Sequence, residues 1–244
     1  MKRKINFAIK SKKGLRPINQ DNLVCTYNSN DNFMSIVCDG VGSVVGSEYA
    51  SKVVVDTFMN CFEATSKIYN PTKWFRETLK ITLNNLEKVS KAKNLPGIAT
   101  TLALLIVIDD KFYTFNIGDT RIYKINKQEI KQYSYDHNYK NYLISKGVSN
   151  KALEAQRNRW YAITNFIDPQ NPQLAKFDCN SGDLEKNQYF LICTDGVYSW
   201  LNKDIIFKTV NKPVPLVVKA SLLNTKALNA DSNDNVSNII IRVK

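Results

Sequence analysis

Three apolar runs in this sequence end in an aspartate. Ser35-Ile36-Val37-Cys38 leads into Asp39-Gly40-Val41, Phe190-Leu191-Ile192-Cys193 into Thr194-Asp195-Gly196-Val197, and Phe115-Asn116-Ile117 into Gly118-Asp119. One such aspartate is ordinarily a turn residue. Several at the ends of core strands are different, because rigid strands can hold carboxylates close together. Converging carboxylates repel and lose hydration, so they call for a cation. His137 is the only histidine, which removes His-rich metal sites and leaves a Ser-His-Asp triad one possible base. All-oxygen donors favour Mg²⁺ or Mn²⁺ over Zn²⁺ or Cu²⁺.

Competing chemistries fit less well. Gly40, Gly42 and Gly46 follow G-x-G-x-x-x-G rather than the dinucleotide fingerprint, and no G-x-x-x-x-G-K-[ST] loop occurs. The formal charge of +12 raises the prior for an anionic partner, but the lysines are spread along the chain, so a lysine-rich surface is the expectation and nucleic acid is not. Five scattered cysteines (Cys25, Cys38, Cys61, Cys179, Cys193) without a C-x-x-C pair suit reduced thiols in a cytoplasmic protein. The basic start Lys2-Arg3-Lys4 is followed by too short and mixed a stretch for a signal-peptide core. The longest apolar run, Leu102 to Ile108, is far short of the ~20 residues that span a bilayer.

The elements that must position these aspartates follow from periodicity. Alternation predicts strands at 5–9, 23–27 and 33–38. Three- and four-residue spacing predicts a helix from about Ser47 (Ala50, Val54, Phe58, Phe62). A second is predicted after Pro71, capped by Thr72 and stopped at Pro96-Gly97, with Phe75, Leu79, Leu83 and Leu86 inward. Strands are expected at 100–108 and 111–117, with a hairpin pairing 121–125 and 129–133 around Asn126-Lys127. The stretch 136–168 turns helical, with Gly147 as a stop. A strand at 189–193, a helix over 215–228 and a strand at 236–243 follow. The order does not alternate as β-α-β-α, and no linker divides the 244 residues, so one α+β domain with mostly antiparallel sheets is expected.

Read in order, Gly14-Leu15-Arg16-Pro17-Ile18-Asn19-Gln20-Asp21, Asp39-Gly40-Val41-Gly42, Ala50-Ser51, Ala99-Thr100-Thr101-Leu102, Asn116-Ile117-Gly118-Asp119-Thr120-Arg121-Ile122-Tyr123, Asp136-His137, Cys193-Thr194-Asp195-Gly196-Val197 and Asp234-Asn235 form a set. Each is weak alone. Together, at these separations, the sequence resembles the metal-dependent type-2C protein serine/threonine phosphatases, most of all their compact bacterial branch, from about Ile9 to Val243.

The resemblance implies a four-layer α-β-β-α sandwich of two antiparallel sheets flanked by helices, with a flap at about 137–168. It implies two Mn²⁺ or Mg²⁺ ions bridged by Asp39, one also taking the Gly40 carbonyl, with Asp195 and Asp234 completing the site and Asp21 beside it. Asp119 matches the residue for a third ion, Arg16 the arginine that grips the substrate phosphate, and His137 a structural position. A metal-bridged water would then attack phosphorus in line, without a covalent phosphoenzyme. The substrates implied are phosphoserine and phosphothreonine proteins of a partner kinase, and a monomer is the default. The sequence departs from the family at Val41, where animal enzymes carry a histidine proposed as general acid, and at Gln20, Ser43 and Ser199. Gln20 and Ser199 motivate the alternative of a degenerate fold that binds phosphoproteins without turnover.

Overall fold

The computed structural model describes residues 4–244, so Lys2-Arg3 of the basic start lie outside the described residues. Two five-stranded antiparallel sheets lie face to face. The first has the order β1 (Ile5–Lys12), β10 (Val236–Val243), β9 (Tyr189–Cys193), β6 (Arg121–Ile125), β7 (Ile130–Gln132). The second runs β2 (Asp21–Tyr27), β3 (Phe33–Asp39), β4 (Leu102–Ile108), β5 (Lys111–Ile117), β8 (Asp178–Asp183). β4 shows why a strand can be apolar throughout. Its Leu102, Leu104 and Ile106 face helices, while Ala103, Leu105 and Val107 face the other sheet.

Helices cover both outer faces. α1 (Ser47–Ala64) and α2 (Pro71–Ala92) lay Phe58, Phe62, Phe75 and Leu86 on the second sheet, where Phe75 stacks on Phe115 at 4.5 Å. After β9, α5 (Asp195–Tyr198), α6 (Lys203–Val210) and α7 (Leu216–Asn229) cover the first sheet with Val197, Ile206, Leu223 and Ala227. This is the expected α-β-β-α sandwich. Between β7 and β8 the chain forms α3 (Tyr139–Ser145) and α4 (Asn150–Glu154), packed on a small cluster of Leu143, Leu153 and Trp160.

Local differences from expectation have local causes. α2 is capped by Asn70, whose side chain accepts the Lys73 amide; Pro71 then fills the first helical position, leaving Thr72 inside. It ends at Ala92, before Pro96-Gly97, because Asn94 turns left-handed (φ 51°) and the amides of Asn94 and Leu95 fold back onto the Lys91 and Ser90 carbonyls. Residues 100 and 101 precede β4 rather than joining it. β8, Asp-Cys-Asn-Ser-Gly-Asp, carries no strand signal and exists because the edge of β5 pairs with it. α6 looks strand-like in residue type (Ile205, Ile206, Phe207, Thr209, Val210), yet Asn202 caps it by accepting the Ile205 amide.

Candidate active site

Asp21 and Asp39 are register partners where β2 begins and β3 ends. Asp119 follows β5, where the chain crosses from the second sheet to the first. Asp195 opens α5 after β9, and Asp234 lies just before β10. All five reach the same end of the sandwich, two from the second sheet, two from the first and one from the connection between them.

Threonines and one asparagine build the frame. The Asp39 amide donates to Thr101 Oγ1 (3.0 Å), its carbonyl accepts from the Thr101 amide and Thr100 Oγ1 (2.8 Å each), and Thr101 shares a 2.7 Å bond with Thr120. Across the sheets, Thr194 Oγ1 donates to Asp21 Oδ2 at 3.2 Å. Asn235 clamps the loop that carries Arg16. Its Oδ1 accepts the Gln20 amide (2.8 Å), and its Nδ2 donates to the Lys13 and Ile18 carbonyls (2.7 and 2.9 Å). That clamp brings Arg16 Nη2 to within 2.8 Å of Asp234 Oδ2. Gly196 is required by closeness, since a Cβ there would lie 2.0 Å from the Asn235 carbonyl oxygen. Gly40 is similarly enclosed, since a Cβ there would lie 2.8 Å from the Ser47 carbonyl oxygen.

The electrostatics express the crowding. Burial, then the neighbouring Asp195 and Asp234, push the Asp21 carboxyl up to about 7, against hydrogen bonds from Ser237 and Thr194. Burial and Asp195 push Asp119 up to about 7, and burial with Asp234 pushes Asp195 up to about 6. Asp39 is raised well above the carboxylate range by burial and then by Asp21, Asp195, Asp119 and Asp234. Arg16 is raised by its bond to Asp234.

The donor set suits a hard divalent cation. It is all oxygen, it is mutually repulsive, and Asp21 Oδ1 is buried without a hydrogen-bond partner. Among the described residues no three Asp, Glu, His or Cys side chains stand as a finished chelate, and Asp234 is turned toward Arg16. Binding an ion would therefore require the carboxylates to rotate inward from these positions.

A 490 Å³ cleft opens beside Asp195 and Asp234, walled by Arg121, Tyr198, Trp200 and Tyr161, the last from the α3–α4 segment. Arg121 forks onto Asp136 (3.0 and 2.6 Å) and lies 3.7 Å from the centre of the Tyr198 ring; Tyr198 in turn draws the Asp119 carboxyl down against the effect of burial. His137 is buried beside Gly118. Its Nδ1 accepts the Gly118 amide at 3.0 Å and its Nε2 lies 2.9 Å from Asp178, so the ring braces the Asp119 turn. The structure thus gathers every candidate residue read from the sequence. What sequence reasoning missed is the frame of Thr101, Thr194, Tyr198 and Asn235. Of these, Thr101, Thr194 and Asn235 stand in the ordered motif set but without a role assigned to them, and Tyr198 had no signal.

The sequence pattern described as "Protein phosphatase 2C" matches residues 12–226. The chain belongs to the protein phosphatase 2C family. A Mycoplasma genitalium protein assigned as a protein phosphatase is 30% identical over 244 residues, covering 96% of this chain and 94% of that one. The crystal structure of serine/threonine phosphatase Stp1 from Staphylococcus aureus superposes with a TM-score of 0.88 at 24% identity, over 99% of this chain and 96% of that one. The catalytic domain of the serine/threonine protein phosphatase PstP, solved in complex with two manganese ions, gives 0.81 at 19% identity, over 98% of each chain. These two likenesses establish the fold. No helix among the described residues is long and apolar enough to cross a membrane.

Proposed function

We propose that this chain hydrolyses phosphoserine and phosphothreonine in proteins, as one catalytic domain spanning 1–244 with the 137–168 segment as a flap over the cleft. The observation that carries this reading is the convergence of five aspartates from both sheets, with Asp21 Oδ1 left without a partner. The family supports it, and the manganese-bound relative supports divalent metal. Asp39, the Gly40 carbonyl, Asp195 and Asp234 would hold two ions, with Asp21 beside them and Asp119 available for a third.

Bound Mn²⁺ or Mg²⁺ would supply an acidified water as nucleophile and polarise the phosphoryl group. The protein's own residues do the rest. Arg16, released from Asp234, places its guanidinium fork on two phosphate oxygens. The cleft between Tyr161 and Trp200 takes the chain on either side of the phosphorylated residue. Val41 offers no acid to the leaving group, so that proton comes from solvent. The Thr100, Thr101 and Asn235 bonds keep the carboxylates and Arg16 in register through turnover. The substrates would be proteins phosphorylated by a serine/threonine kinase.

The test is hydrolysis of para-nitrophenyl phosphate and of a phosphothreonine peptide with Mn²⁺, with Mg²⁺ and with EDTA, with Asp39→Asn as the blank. Turnover that needs metal and vanishes in the variant is expected. Metal binding without turnover would replace this reading with a phosphoprotein-binding module, and Gln20 and Ser199 would be the first positions to restore.

A further inference from the structure

At the other end of the first sheet, where Glu185 is taken up by Lys124, two clefts are lined by cations and by no Asp or Glu. Tyr189 opens β9 there, and two cations lie on its ring, Lys219 Nζ at 4.4 Å and Arg242 Cζ at 5.7 Å from the centroid. Clefts of 620 and 410 Å³ meet at Tyr189 and Arg242; Lys127 lies on the rim of the smaller, and no Asp or Glu lines either. Tyr189 and Asp195 lie at opposite ends of β9, whose four steps from Tyr189 to Cys193 span about 13 Å, so this is not the carboxylate site.

Lys219 is 3% exposed. Its Nζ donates to the Val210 carbonyl (2.6 Å) and the Tyr189 hydroxyl (3.2 Å), both uncharged acceptors. The carbonyl contact fastens the end of α6, which explains one N–H but not the burial of a full charge. Arg242 gives Nη2 to Asn187 Oδ1 (3.2 Å), and its Nε is buried with no partner. Among the described residues, neither cation has a carboxylate within ion-pair distance. α7 starts at the larger cleft with Pro215 as its cap, no capping side chain and no acid in its first turn, so the positive end of its dipole adds to the same field. A buried ammonium, a half-buried guanidinium and an uncapped helix start, each independently lacking a negative partner, face one space.

We infer that this double cleft is a second anion site, taking a phosphate-class oxyanion either free or as the phosphate of a nucleotide. The oxyanion sits between Arg242 and Lys219. The larger cleft has apolar walls, including Phe7 and Val217, that leave room for a flat base.

The test is a heteronuclear NMR titration of the full chain in EDTA with inorganic phosphate and, separately, with adenosine monophosphate. Saturable shifts at Tyr189, Lys219 and Arg242 are expected for at least one ligand. Arg242→Gln should weaken binding at least about tenfold, the loss of a charge-assisted bond, while Arg16→Gln leaves it within about twofold. If Arg242→Gln does not fold, the exposed Lys127→Gln serves, with about threefold weakening expected. Tighter binding of the nucleotide by more than about tenfold identifies it as the source; equal binding identifies free phosphate. Absence of shifts at these residues up to about 10 mM of both ligands, or shifts that vanish in Arg16→Gln and persist in Arg242→Gln and Lys127→Gln, overturns the inference.

Discussion

Replacing Asp21 by Asn should stabilise the protein without metal and weaken it as a metal protein. The Asp21 carboxyl is 5% exposed, lacks a partner on Oδ1, and is pushed from an ordinary 3.8 up to about 7. The folded form therefore keeps a proton that the unfolded chain releases above pH 3.8. Stability falls as pH rises from there to about 7, and the penalty is complete above it. At about 1.4 kcal/mol per pH unit the ceiling is about 4 kcal/mol, and because the charge is shared with Asp195 and Asp234 about 2–4 kcal/mol is realistic. Asn has no charge to desolvate and can still accept from Thr194. For a chain of this size that gain is roughly 5–15 °C in melting temperature at pH 8 in EDTA, shrinking to about a third at pH 5. With Mn²⁺ the order should reverse, because the variant gains less from the ion. Thermal melts by circular dichroism at both pH values, with EDTA and with Mn²⁺, decide it. A variant that melts at or below the parent in EDTA at pH 8, or gains equally at pH 5 and pH 8, would refute the buried, raised Asp21 carboxyl as the source of the strain.

Arg16→Ala should lower kcat/KM for a phosphothreonine peptide by about 10²-fold while leaving the fold intact; a change under about threefold would take phosphate binding away from this residue. Gly196→Ala should cost about 3 kcal/mol, roughly 6–12 °C in melting temperature, because its Cβ meets the Asn235 carbonyl oxygen at 2.0 Å; an unchanged melt would mean that the two loops separate freely. His137→Gln should lose about 1–3 kcal/mol of stability with kcat kept within about threefold. Collapse of kcat at an unchanged melting temperature would instead assign the ring to the chemistry.

Asp39, Asp119 and Asp195 were legible because each closes or follows a strand whose apolar character is itself a signal, whereas Asp21 and Asp234, which open or precede their strands, were read only from the family resemblance. The long helices were legible because their buried faces repeat at helical spacing. β8 was not, since its six residues are held by the edge of β5 rather than by any preference of their own. α6 was hidden because its β-branched residues argue for a strand while one asparagine cap and the packing of Ile206 on the sheet decide for a helix. The clamp by Asn235 was invisible for a different reason. Its partners, Lys13, Ile18 and Gln20, are more than 200 positions away, and it holds their backbone, which carries no residue identity to read.

The division of the carboxylates between the sheets ties activity to the register of the whole sandwich. A fragment holding a single sheet would carry two of the five aspartates and none of the opposing pair, because each sheet brings only one side of the site. The layer where Phe33, Leu105, Phe190 and Ile239 interlock is then also the layer that sets the separation of Asp39 from Asp195. A large-to-small change there, far from any aspartate, would reach the chemistry by letting one sheet slide on the other. Variants of this inner layer should therefore lose turnover at temperatures well below those at which they lose their helices, so that enzymatic assay becomes the finer gauge of how tightly the two halves are seated.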